Sequence, residues 1–378
     1  MQLSRHILVA SVALLLAAGP VLANNVAKTD QLGDGNQSDI LQTAGKGGYN
    51  QAYQLQDGNN NQASINQSGN QIVGYLGSPK GWAAEQQQLG DNNSTSIDQT
   101  GSDNMVYQYQ FGSGNGASVL QNGEGNRTTQ FQFGFGNHAT ASQIGVYNYI
   151  NSNQFDQYQD GNYNSAEAYQ DGNGNAITQG QTGDGNTAIA EQSGNGNMLT
   201  SGQNQMLQEG DNNFVSSYQE GANNWIQQNQ FGNDNSSTAS QAGNQNRAMQ
   251  WQSGSGNSAD VSQSAAEGQT NTALQFQSGN DNSATISQSG NNTGLNTLLE
   301  PQMYGALQEQ FGDRNSSDIA QDGLDNFAHT WQNTDDNQAT IDQIGNLNFA
   351  TVSQNVISGN VANIAQNGAD NLGTIVQQ

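Results

Sequence analysis

The chain has 378 residues, of which 32% are hydrophobic, with 47 Gly, 3 Pro and no Cys, and its formal charge is −25. That apolar share lies well below the roughly half that a conventional globular core needs, and the missing cysteines exclude disulfides. Seven Lys and Arg cannot build a phosphate-binding stripe, so the acidic balance speaks against nucleic acid and against an anionic membrane surface.

Residues 1–23 carry Arg5 and His6, then an apolar stretch from Ile7 to Ala18, then Val21-Leu22-Ala23. This is the order of a secretory signal peptide cleaved after Ala23. The apolar run is short for a span of about 20 residues, so no membrane span is expected after cleavage. Residues 24–87 read as an irregular N-terminal segment with degenerate repeats, where Q-x-G-x-x-N starts at Gln31 and Gln56 and is interrupted by "GYLGSPKGW". Residues 88–378 read as a repeat solenoid. The motif falls at Gln88, Gln99, Gln110, Gln121, Gln132 and Gln143, eleven residues apart, and the spacing resumes at Gln159 and at Gln208. Extra residues near 151–158, 203–207 and 264–270 are expected to be loops bulging from turns. The segment 291–305 loses the motif but keeps the count, since Gln288 and Gln310 are 22 apart, and reads as a degenerate unit.

An eleven-residue period could also mean a right-handed helical supercoil. The Gly, Asn and Asp clustered in nearly every unit break helices and make turns. Between turns the residues alternate: Asn282-Ser-Ala-Thr-Ile-Ser-Gln288 places Asn282, Ala284, Ile286 and Gln288 on one face. Period two with β-branched residues is a strand with one face inward. A second kind of unit ends in Gln, an outward aromatic, then Gln, as in "QYQ" at 108–110 and "QWQ" at 250–252. The two kinds alternate, so the true repeat is about 22 residues. The expected fold is all-β: a two-sheet β-solenoid (cross-β) of about 15 strand-turn-strand rungs, each stacked on the next at about 4.8 Å.

Physical roles follow from that register. Gly101, Gly112, Gly123, Gly134, Gly243, Gly254, Gly279, Gly323 and Gly345 sit where the chain reverses and positive φ is needed. Inward amides form ladders up the stack: Gln99, Asn104, Gln110, Asn115, Gln121, Asn126 and Gln132 in the first half. Gln241, Asn246, Gln252, Asn257, Gln277, Asn282, Gln288, Gln321, Asn326 and Gln343 do the same later. Tyr109, Phe131, Trp251, Phe276 and Trp331 point outward, as ladder stackers, as lateral contacts between fibrils, or as a dye-, sugar- or surface-binding stripe. Because most strand hydrogen bonds need a neighbouring rung, and because "NLGTIVQQ" ends the sequence as another strand, an open edge is expected to template pairing with a second molecule.

The 22-residue unit S-x5-Q-x-G-x-x-N-x-A-x3-Q is the curlin repeat. Gln241, Gly243, Asn246, Ala248 and Gln252 fit it, and Gln99, Gly101, Asn104 and Gln110 form a second copy with Val106 in the Ala position. The chain resembles the curlin-repeat family over roughly residues 31–378, the family whose major subunits build curli, the extracellular amyloid fibres of Gram-negative biofilms. The resemblance implies a homopolymeric cell-surface fibre (a fimbrium) in biofilm matrix and adhesion. It also implies export through an outer-membrane pore, periplasmic chaperones and nucleation by a minor curlin. Two departures stand out: Asn235 and Asn93 replace the family's leading Ser, and the family's subunits carry far fewer repeats.

Other chemistry finds little support. Acidic turns at Asp34, Asp91, Asp184, Asp211 and Asp313 invite calcium, but calcium solenoids use a nine-residue period with Asp at a set position. The three His, at 6, 138 and 329, offer no zinc cluster, and "GSGNG" precedes no helix start with Lys. A polysaccharide-cleaving β-helix needs a defined carboxylate pair, which the sequence does not single out. The expectation is a structural subunit without catalysis, metal or cofactor. The alternative is a monomeric secreted β-solenoid adhesin or ice-binding protein, which should show Thr-x-Thr rows and capped ends.

Overall fold

Alternating inward and outward side chains, punctuated by Gly-centred reversals, produce one pattern throughout: two strands per turn of chain, each paired in parallel with its equivalent in the next turn. The computed structural model describes residues 25–44, 49–70, 83–147, 149–150, 157–199, 206–266, 269–292 and 305–378, and every regular element among them is a strand. The expected signal peptide lies outside the described residues. The chain divides into two compact units, Met1–Gly180 and Gln181–Gln378.

In the first unit the rungs begin with Val26–Leu32 and Gln37–Thr43 and run to Gln157–Asn162 and Ser165–Asn173. The sheet that opens each rung is sheet A and the one that closes it is sheet B. Pairing is parallel and in register, Gln56 opposite Gln88 in sheet A and Gln67 opposite Gln99 in sheet B. In the second unit sheet A contains Trp225–Phe231, Arg247–Ser253 and Thr272–Ser278 and ends at Leu372–Gln377. Its sheet B contains Ser236–Asn244 and Ser258–Ser264 and ends at Val361–Ala369. The fold is a β-solenoid of parallel sheets with about 23 residues per turn. Between the sheets lie small and β-branched side chains: Ala248, Ile286, Ile319 and Ile341 are fully buried. Each rung adds only a few apolar groups, so burial in a single rung cannot offset the ordering of its backbone, and stability must be shared among stacked rungs.

Two expectations are corrected. Within 24–87 the described residues are not irregular: they hold the paired strands Val26–Leu32 with Gln51–Asp57 and Gln37–Thr43 with Gln62–Asn70. Their repeat was hidden because ladder partners lie 25 and then 32 residues apart, against 22 in the plain rungs. Nor does the glutamine ladder take a step within 291–305, although Asn292 joins the asparagine ladder between Asn271 and Asn326. Gln277 pairs with Gln310 and Gln288 with Gln321, each 33 residues on, so the ladder skips an extra eleven residues and Gln310 falls in sheet A. Residues 293–304 lie outside the described residues. The insertion near 264–270 lengthens its interval to 25, between Gln263 and Gln288. The other two insertions end sooner than expected, because strands start at Gln157 and Met206; 151–156 and 203–205 lie outside the described residues.

The reversal uses two unusual backbone positions. Gly243 has φ 100° and Gln245, two residues on, has φ 60°. The same spacing recurs with Asn92, Asp103, Asp325 or Gly at the second position, and even with Tyr147 and Leu347. At Gly243 a Cβ would lie 2.0 Å from the carbonyl oxygen of Ala265 in the next rung, so glycine is required by close approach as well as by φ. Gly243→Val should therefore lower the free energy of unfolding by about 3 kcal/mol or more. Ser240→Val, on the outward face, should change it by less than about 0.5 kcal/mol. Urea unfolding of the two variants checks this, and equal midpoints would show the reversal to be elsewhere.

Candidate assembly site

Carboxamides fill the inward strand ends. Gln99 Nε2 donates to Gln121 Oε1 at 2.9 Å and Gln110 Nε2 to Gln132 Oε1 at 2.7 Å. In the second unit Gln241 donates to Gln263 at 2.8 Å, Gln252 to Gln277 at 2.9 Å, Gln321 to Gln343 at 2.8 Å and Gln343 to Gln366 at 2.8 Å. The second amide hydrogen crosses to the other sheet: Gln241 Nε2 donates to Trp225 O at 3.0 Å and Gln252 Nε2 to Ser236 O at 2.9 Å. One buried side chain thus ties two rungs and two sheets together. Left alone, each such amide would carry a heavy desolvation cost; in the ladder its donors are used.

Asparagines do the same at the arcs. Asn126 N donates to Asn104 Oδ1 and Asn137 N to Asn115 Oδ1, both at 3.0 Å, while Asn126 Nδ2 reaches Gly145 O at 3.0 Å. Asn246 accepts from Asn271 N at 3.1 Å, Asn257 from Asn282 N at 3.1 Å, Asn282 from Asn315 N at 2.9 Å and Asn326 from Asn348 N at 3.1 Å. Asn93 and Asn235, which stand where a Ser was expected, accept from Asn115 N at 3.0 Å and Asn257 N at 3.1 Å. The turn glycines Gly101, Gly112, Gly123, Gly134, Gly254, Gly279, Gly323 and Gly345 all have φ between 110° and 134°.

The matching comparison concerns this stretch. Residues 232–264 match the family model described as curlin associated repeat. Those 33 residues carry the curlin repeat. No curated protein matches the chain. The matched curlin repeat spans Ser236–Asn244, Arg247–Ser253 and Ser258–Ser264, with Gln241 and Gln263 as ladder partners. A curlin repeat within a β-solenoid fits a curli-like structural protein of extracellular type, and points away from catalysis.

Sequence reasoning left out a third glutamine ladder. The first Gln of each "Q-aromatic-Q" also faces inward: Gln108 donates to Gln130 at 2.8 Å and Gln250 to Gln275 at 2.8 Å. The signal was the motif itself, since a residue two places from an inward Gln shares its face. The ladder ends at Gln308, which donates to Ser317 Oγ at 3.0 Å and stands beside Thr330 in the next rung. The second positive-φ position of the turn was also missed, because Gly shares it with Asn, Asp, Gln, Tyr, Arg and Leu.

The outward aromatics form runs along sheet A. Tyr109 lies 6.1 Å from Phe131, and Phe231, Trp251, Phe276, Phe311 and Trp331 follow one another at ring-centroid distances of 5.1, 6.3, 5.4 and 6.2 Å. Among the described residues no three His, Cys, Asp or Glu cluster in a metal-binding arrangement, and no helix is long and apolar enough to cross a membrane.

At the first and last described rungs the ladders stop. Gln42 Nε2 donates to Gln67 Oε1 at 2.8 Å, but Gln42 Oε1 is buried with no hydrogen-bond partner. At the other end Gln366 Nε2 donates only across to Phe349 O at 2.9 Å, and Gln377 Nε2 to Val361 O at 3.0 Å. Leu372 and Val361 are 77% and 65% exposed. Gly368 differs from its counterparts: a Cβ there would meet only Asn371 Nδ2 at 3.7 Å, whereas at Gly345 it would meet Gly368 O at 1.9 Å.

Two predictions follow from these contacts. Gln241→Ala strips partners from Gln219, Gln263 and Trp225 O, and should cost about 2–4 kcal/mol in urea unfolding, against less than about 0.5 kcal/mol for Ser240→Ala. The second concerns Asp318, whose carboxyl is pushed up by burial first and by Asp342 second. A raised carboxyl binds protons more readily when folded, so its effect on stability worsens as pH rises through the ordinary carboxylate range. Asp318→Asn should match the wild type near about pH 3 and be more stable near about pH 7, as measured by thermal unfolding across pH. A constant difference across pH would mean that Asp318 is not perturbed.

Proposed function

We propose that this protein is the structural subunit of a secreted curli-like amyloid fibre that grows by stacking copies end to end, with the first rung of one copy seated on the last rung of another. What supports this reading is a curlin-repeat match on in-register parallel sheets whose first and last described rungs have open faces. Gln42 Oε1 lacks the donor that every inner glutamine of its ladder receives, and Gln366 retains the amide hydrogen that the inner glutamines give to the next rung. Beyond Gly368 no backbone lies where Gly368 itself lies beyond Gly345. Stacking Val26–Leu32 on Leu372–Gln377 and Gln37–Thr43 on Val361–Ala369 would continue both sheets and satisfy those groups. On this reading the fibre belongs to the cell surface of a Gram-negative bacterium and serves biofilm matrix and adhesion. Its partners are copies of itself, a minor curlin nucleator, an outer-membrane secretion pore and periplasmic chaperones. The protein needs no metal or cofactor for this role.

The test uses the purified mature chain. Incubation with preformed seeds should yield fibres diffracting at about 4.8 Å and about 10 Å. Gly368→Ala and Gly345→Ala impose the same backbone strain, but only the second adds a clash inside the chain. Gly368→Ala should leave the soluble chain folded and slow seeded growth at least tenfold, whereas Gly345→Ala should weaken the fold as well. A chain that stays soluble with seeds, or a Gly368→Ala variant that elongates at the wild-type rate, would remove the end-to-end reading.

A further inference from the structure

The two faces of the second unit differ in chemistry. Sheet B turns serines, threonines and acids outward, with Glu220, Asp260, Asp318, Asp322 and Asp342 among them beside scattered apolar groups at Tyr218, Leu324, Ile344 and Val361, and has no Lys, Arg or His in its described strands. Sheet A turns out the aromatic run from Phe231 to Trp331, where Trp331 is 41% exposed. Its charged groups have both signs: Arg247 lies over the Trp225 ring at 4.5 Å, and Glu309 Oε2 lies 3.0 Å from His329 Nε2.

We propose that the sheet A face of the second unit is a lateral interface on which a second copy of this chain seats its own sheet A face. Charge decides the partner and the face. Two sheet B faces would bring carboxylates of like sign together along the whole contact, whereas two sheet A faces oppose aromatics with aromatics and contain both signs. Size agrees. Seven strands from Trp225–Phe231 to Leu372–Gln377, each about seven residues long, offer about 700–800 Å² per copy at the usual strand spacings. That is about what each partner contributes to a stable interface. Large flat rings already locked by neighbours along the stack lose little side-chain freedom on docking, and aromatic pairs favour the offset and tilted contacts that two such rows can make. This surface lies along the side of the stack rather than at its ends, so it acts in the soluble chain as well as in a fibre and does not depend on axial growth.

Mass per length by electron microscopy tests the inference on fibres. The wild type should show two rungs per about 4.8 Å of axis, and the triple variant Trp251→Ser, Phe276→Ser and Phe311→Ser should show one, a halving. Trp251→Phe should keep two, and Asp342→Asn on sheet B should leave the value unchanged. Far-ultraviolet circular dichroism reports whether the triple variant keeps its strands. If it does not, Trp331→Glu alone, at an exposed outward site, serves in its place and should also halve the mass per length. Should the chain not form fibres, sedimentation of the soluble protein gives the same answer: a dimer that these variants dissociate supports the interface, and a monomer overturns it. One rung per axial spacing in the wild type, or doubled mass that survives every sheet A variant, also overturns it.

Discussion

The structure depends on the hydrogen bond between one buried glutamine amide and the next. An amide has two donors and an acceptor to satisfy, and burying it alone costs more than the few alanines and isoleucines of a rung can offset. Placed in register with a copy of itself, the same amide spends one hydrogen along the stack and one across it, as Gln241 does with Gln263 and Trp225. Polarity in the core therefore enforces alignment. A slip of one residue would turn every one of these amides outward and strand its neighbours, so the wrong register is opposed at each rung.

Turn geometry serves the same alignment. Glycines such as Gly243 bring backbone so near the following rung that no side chain fits between, while Asn side chains at the arcs bond to the amide of the rung beyond. The outer surfaces are freed from these duties and diverge. Sheet A collects rings and sheet B collects hydroxyls and carboxylates, although the two are built from halves of one repeat.

Most of the architecture was legible because its period is written in residue types that have few other uses. Gln-x-Gly-x-x-Asn gave the strand ends and the reversals, and alternation around Ala259, Val261 and Gln263 gave the inward face. The parts that were not legible share a cause: spacing in sequence is not spacing in space. The first rungs, at Val26–Thr43, looked irregular because insertions separate Gln42, Gln67 and Gln99 unevenly. The segment 291–305 looked like a unit because its extra eleven residues happen to equal half a rung, and only the pairing of Gln277 with Gln310 reveals the jump. Residue type also hid the second reversal position, since Tyr147 and Leu347 occupy a conformation normally left to Gly, Asn or Asp. There the surrounding rungs override local preference.

The glutamine ladders have a direction. In both units each Nε2 donates toward the C-terminal neighbour and each Oε1 accepts from the N-terminal one, as in Gln67 to Gln99 and Gln321 to Gln343. Backbone bonds between rungs run both ways, as with Gly58 N to Leu32 O and Val26 N to Asn50 O, so their dipoles largely cancel. The side-chain amides do not cancel. They add head to tail within each unit, much as peptide dipoles add along a helix, leaving carbonyl character at one terminus and N–H character at the other. A stack of rungs built this way has two chemically distinct tips, one presenting carbonyl oxygens and the other N–H groups.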